Sequence, residues 1–178
     1  IGGHNMDDYP LKMHVFNRAR LIKNSKNRIP YGVDLIQKYK RESWIVFTEN
    51  KKQAKEFNKI INTKGFKSAL YNTDLDSTER LENLNKFKKA DLNVLVTCTA
   101  LDEGFDMPEA DGALILSASS SKRQRVQRMG RVLRITESKP NALIVTVYSS
   151  KTEFDKLMEE AKRYHKEGVP VSWKRQDR

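Results

Sequence analysis

Residues Gln124–Arg134 read QRVQRMGRVLR. Wound as a helix, this stretch places Val126, Met129 and Leu133 on one face and Gln127, Arg131 and Arg134 on another. The second face then carries two guanidinium groups one turn apart. Beside them stands Gly130, a residue that costs a helix interior about 1 kcal/mol relative to alanine. Two rigid forks of donors aimed at one place match a polyphosphate, because a guanidinium stays charged and binds phosphate oxygens bidentately. A merely solvated basic helix leaves both the glycine and the apolar stripe unexplained.

Upstream, Thr97–Pro108 reads TCTALDEGFDMP and follows an apolar run. Gly104 can adopt backbone angles closed to other residues or let a ligand come near, and Asp102, Glu103 and Asp106 place carboxylates around it. Taken alone, the segment reads equally as a ligand loop or as a plain acidic loop. Its setting bears on the choice. Five short runs rich in Val, Ile and Leu (Trp44–Thr48, Lys67–Tyr71, Asn93–Thr97, Ala113–Ser117 and Ala142–Tyr148) are nearly continuous rather than alternating, as expected of strands covered on both faces.

Helical patterns lie between several of these runs. Lys51–Thr63 puts Ala54, Phe57, Ile60 and Ile61 on one face, with Gly65 as a stop signal. Glu79–Lys89 does the same with Leu81, Leu84 and Phe87, after the capping candidates Asp76 and Ser77. Two helices are expected before the first strand. One covers about Leu11–Lys23, and the other starts near Pro30 and carries Leu35, Ile36 and Tyr39 inward. A last helix is expected over Thr152–Lys166. This alternation predicts an α/β fold, an open parallel sheet flanked by helices with right-handed crossovers, whose ligands collect at the carboxyl ends of the strands.

At 178 residues the chain suits one domain. The opening IGGHN reads as a tag or linker remnant within residues 1–9, which predicts a piece of something longer. The domain is expected over 10–168, followed by a basic tail over 169–178 whose end is expected to be mobile. Thirty-four Lys and Arg against 23 Asp and Glu give a net charge of +11, which favours a polyanionic partner, nucleic acid before membrane. No apolar run approaches the roughly 18–20 residues of a membrane span. The lone Cys98 excludes an internal disulfide and points to a reducing, cytoplasmic setting, with the thiol itself expected in the core. Histidines 4, 14 and 165 are scattered, and no acidic or Cys/His cluster stands at metal-ligand spacing, so no protein-bound metal is expected.

LVTCTALDEGFDMP at 95–108 followed by SKRQRVQRMGRVLR at 121–134 resembles motifs V and VI of superfamily 2 helicases, in particular the XPB-like (SSL2-type) group. WIVFTEN at 44–50 resembles motif IV, and TDLDSTER at 73–80 the motif IVa segment. The resemblance spans about residues 10–165. It implies a RecA-like open parallel sheet, the second motor domain of such an enzyme. It also implies that Arg131 and Arg134 reach across a cleft to the ATP phosphates, with Gln127 coupling that contact to the other motor domain. Gly104 and Asp106 would lie beside the nucleotide ribose. Arg128 is assigned to the same nucleotide-binding set, although its offset from Arg131, about 60° of helix turn, would equally let it brace Asp102 or Glu103.

The resemblance places nucleic-acid contacts at the motif IV edge, Thr48, and in the TCT stretch. Cys98 stands where many relatives carry threonine, so that hydroxyl contact passes to Thr97 or Thr99. Trp173, in the tail, is a further candidate for stacking on a base. No G-x-x-x-x-G-K-[ST] phosphate loop occurs, and no DExH box. ATP with Mg2+ is therefore expected to bind mainly on an amino-terminal RecA-like domain of the same protein, and the isolated domain is expected to be inactive. A DNA helicase or translocase is the expected function, with DNA before RNA as the track. A motor subunit of a restriction or phage-defence system, an RNA helicase, and a non-catalytic nucleic-acid-binding module are the alternatives.

Overall fold

The computed structural model describes residues 27–98, 108–116, 142–166, 168 and 170–174. The helix expected over 11–23, the loop over 99–107 and the arginine-bearing stretch 124–134 lie outside them. The described chain runs α1 (Arg28–Tyr39), β1 (Trp44–Phe47), α2 (Lys51–Thr63), β2 (Ser68–Tyr71), α3 (Ser77–Lys88), β3 (Val94–Thr97), β4 (Gly112–Ile115), β5 (Leu143–Thr146) and α4 (Lys151–Lys166). The strands form one sheet in the order β2-β3-β1-β4-β5, every pairing parallel. All five expected strands are present, each shorter by one to three residues.

Burial follows sheet position. The central strands β1, β3 and β4 are buried throughout, whereas the edge strands β2 and β5 are mostly half-buried. Alternate residues feed two cores. On one face Trp44, Val46, Val94, Val96, Leu114 and Leu116 pack with Val33 and Ile36 of α1 and Ala54, Phe57 and Ile61 of α2. On the other, Ile45, Phe47, Leu95, Ala113 and Ile115 pack with Leu84 and Phe87 of α3. Cys98 belongs to the first core, as expected of a small apolar side chain there.

Local signals set the helix ends. The Asn50 side chain caps α2 by accepting from the Gln53 amide at 2.9 Å, and Asp76 caps α3 by accepting from the Glu79 amide at 2.8 Å. At the far end of α2, Gly65 has φ +86°, and the amides of Gly65 and Phe66 bond back to the carbonyls of Asn62 and Ile61. That is the left-handed termination for which glycine is suited.

The helix placed near Pro30 begins at Arg28, which puts Pro30 in its first turn, where a proline needs no amide partner. One expectation changes. In α3, Leu81 is 58% exposed; the inward stripe runs through positions 80, 84 and 87, and half-buried Arg80 takes the place expected for Leu81.

Gly112 lies opposite Trp44 in the β1–β4 register. A Cβ built there would stand 2.6–2.8 Å from three atoms of the buried indole. Gly112→Ala is therefore expected to destabilise the domain by about 1–3 kcal/mol, the usual cost of overpacking, read as a lower urea midpoint at unchanged slope.

Candidate functional site

The carboxyl ends of β1, β2 and β3 meet at one rim of the sheet. There the Thr48 amide donates to the Thr97 carbonyl at 2.8 Å, continuing the β1–β3 ladder by one residue. The Thr48 hydroxyl is fully buried and lies 3.2 Å from the Thr97 carbonyl and 3.1 Å from that of Asn50. Its single proton is thus used within the fold, where it ties the end of β3 to the cap of α2. Thr97 differs. It is 2% exposed, and its hydroxyl has no hydrogen-bond partner among the described residues. A buried hydroxyl left unpaired costs about 1–3 kcal/mol.

Two neighbours share that condition. Asn72, just past β2, accepts from the Asp74 amide at 3.0 Å, but its side-chain NH2 is buried without a partner. Arg80 has its Nε buried and unpaired. It lies one turn before Leu84 on the α3 face that packs against the sheet, the same sheet face toward which Thr97 alternates after Leu95. Helix α3 starts at the carboxyl end of β2, so Arg80 is set toward the rim. Sequence analysis passed over Arg80 because only its place one turn ahead of Leu84 and Phe87 marks it.

Positive charge gathers on the adjoining surface. Lys51 and Lys55, successive turns of α2, both pair with Asp74, Lys55 at 3.1 Å. Hydrogen bonds from Lys51 and then Lys55 hold the Asp74 carboxyl below its ordinary value of 3.8. The sign is that of a depressed acid: the contact contributes above the ordinary carboxylate range and is lost as pH falls through the lowered value. The groups are exposed, so salt screens the effect. Among the described residues no group of three His, Cys, Asp or Glu could hold a metal ion, and no helix is long and apolar enough to cross a membrane.

Of the residues singled out by sequence, Thr48 and Thr97 are thus brought into direct contact. Thr99, Gly104, Asp106, Gln127, Arg128, Arg131 and Arg134 lie outside the described residues. Trp173 packs edge-on to Phe154 at 5.1 Å and against Tyr148 at 6.5 Å, and it stays 40% exposed. Part of its ring is already used in anchoring the tail. In a pH titration followed by carboxyl NMR, Asp74 should titrate below 3.8, and Lys51→Met with Lys55→Met should return it to the ordinary range; an unmoved midpoint would show that the lysines do not set it.

Residues 27–136 match the helicase conserved C-terminal domain. A DNA 3'-5' translocase XPB2 of Sulfurisphaera tokodaii is 36% identical over 129 residues, 72% of this chain and 28% of that protein. UvrABC system protein B of Fusobacterium nucleatum is 31% identical over 125 residues, 66% of this chain and 19% of that protein. An ATP-dependent rRNA helicase RRP3 of Scheffersomyces stipitis is 26% identical over 118 residues, 66% of this chain and 24% of that protein. The chain thus spans less than a third of the length of these relatives. Among solved structures, the C-terminal domain of the DEAD-box protein Dbp5 superposes with a TM-score of 0.68 at 21% identity, covering 82% of both chains. The chain belongs to the helicase conserved C-terminal domain family, and its five-stranded parallel sheet flanked by helices is the RecA-like fold of such domains.

Proposed function

We propose that this chain is the C-terminal motor domain of an ATP-dependent superfamily 2 DNA helicase or translocase, working in the cytoplasm and completing a nucleotide pocket built mainly by an amino-terminal RecA-like domain. The observation that carries the reading is the family match over residues 27–136, which takes in Gly104, Asp106, Gln127, Arg128, Arg131 and Arg134. In phosphoryl transfer negative charge shifts among the phosphate oxygens, and a preplaced guanidinium stabilises it by roughly 10³–10⁵ in rate. Arg131 and Arg134 supply those cations from a different lobe than the phosphate loop, so they align only when the cleft closes. Gln127 couples that contact to the other lobe, while Gly104, Asp106 and Arg128 contribute to the nucleotide's surroundings. Mg2+ would offset phosphate charge on the amino-terminal lobe, where the phosphate loop and DExH box that this sequence lacks are expected.

For the nucleic-acid track the support is the unpaired Thr97 hydroxyl at the carboxyl end of β3, with Arg80 on the helix that covers the same sheet face, a donor and a cation suited to a backbone phosphate. Thr48 acts there by holding the strand ends, and Thr99 extends the same TCT stretch. DNA is favoured over RNA because the relative at 36% identity is described as a DNA translocase. An RNA track is the second reading, supported by the rRNA helicase at 26% identity.

In the full-length protein, Arg131→Ala or Arg134→Ala should lower nucleic-acid-stimulated ATP turnover by about a thousandfold while nucleic-acid binding survives. Near-normal turnover in both variants would defeat the assignment. Thr97→Val should leave thermal stability unchanged or raised, since it removes an unsatisfied hydroxyl, yet weaken DNA binding by about tenfold, the worth of a hydrogen bond to a charged acceptor. Wild-type affinity should fall steeply with added salt through counterion release. A flat salt response in fluorescence anisotropy would count against the track.

A further inference from the structure

Helix α2 begins with Lys51 and Lys52, and its first turn contains no acid. Cations are poorly placed there, because the amino end of a helix already carries partial positive charge. The cap, Asn50, is neutral and offsets none of it. The acid comes from elsewhere in the chain. Asp74, three residues past β2, pairs through one carboxylate oxygen with Lys51 and through the other with Lys55 at 3.1 Å. A turn holds Asp74 in place: its amide donates to the Asn72 side-chain oxygen at 3.0 Å, and the Leu75 amide donates to the Asn72 carbonyl at 3.3 Å. Asn72 is itself buried, and its side-chain NH2 has no partner among the described residues.

The sheet order gives this contact its place. Lys51 follows the exit of β1 and Asp74 the exit of β2, and β3 lies between those two strands. The contact therefore joins the strand exits on either side of Thr97, whose hydroxyl is buried and unpaired. The side chains of Lys51, Lys55 and Asp74 are 46%, 59% and 32% exposed. Pairs this exposed add little to stability and exchange readily, since water and salt compete for each partner. Two ammonium groups set on the two oxygens of one anion would serve the non-bridging oxygens of a backbone phosphate equally well.

We propose that Asp74 is an internal stand-in for a nucleic-acid phosphate: it occupies Lys51 and Lys55 until a backbone phosphate displaces it, and so holds down affinity for the track. The inference rests on the nucleic-acid reading above. In the full-length protein, Asp74→Asn and Asp74→Ser should each bind a fluorescently labelled single-stranded DNA about threefold to tenfold more tightly at low salt, by anisotropy, a gain that shrinks as salt is raised. In a Lys51→Met, Lys55→Met background the same substitutions should give no gain, because the groups they release are gone. Glu159→Gln removes the same charge from an exposed pair with Lys162 on α4, the helix that follows β5 at the other edge of the sheet, and should leave affinity unchanged. Unaltered or weaker binding by both Asp74 variants, with melting temperatures preserved, overturns the proposal. So does a gain that survives loss of both lysines, or one matched by Glu159→Gln, since either would be a general effect of charge. If neither Asp74 variant folds, the contact is a requirement of the fold and the proposal falls. Failure of the unsubstituted protein to bind the DNA or the matching RNA defeats instead the nucleic-acid reading, and the proposal with it.

Discussion

The fold depends on the complete burial of β1. Every amide and carbonyl of Trp44–Phe47 must find a partner away from water, and the parallel neighbours β3 and β4 supply them on either side. With both sheet faces also covered, by α1 and α2 on one side and α3 on the other, the strand has to be apolar at every position rather than at alternate ones. The same close packing explains why Gly112 stands against the Trp44 indole, since no larger residue fits beside it.

What happens where the ladder stops then shapes the candidate site. Beyond the carboxyl ends of the strands, backbone groups lose their regular partners and side chains have to serve them. Thr48 does so for Thr97 and Asn50, and Arg28 does so for Leu116 and Val147. Among the described residues, buried side-chain atoms of Thr97, Asn72 and Arg80 are left unpaired, as are the Arg28 Nε and the Trp44 Nε1 at the opposite end of β1. Unpaired groups of this kind are rare in folded proteins. Thr97 and Asn72 stand at the carboxyl ends of β3 and β2, the side on which open α/β sheets tend to bind ligands.

The family relation and the physical picture meet in the idea of a divided machine. The chain spans 28% of the archaeal translocase to which it is similar, and it contains no phosphate loop.

By itself the sequence determined the strands, the four described helices, the cap at Asp76 and the stop at Gly65, because each of these rests on neighbours a few residues apart. It determined the family as well, through motifs whose order and spacing are written along the chain. Only the tertiary structure decided that Arg80 rather than Leu81 faces inward, that the Thr48 hydroxyl is used inside the fold while that of Thr97 is not, and that Arg28 is buried at all. The physical reason is distance along the chain. The partners of Arg28 lie 88, 119, 121 and 125 residues away, and no local periodicity records a contact that exists only once five parallel strands have come into register.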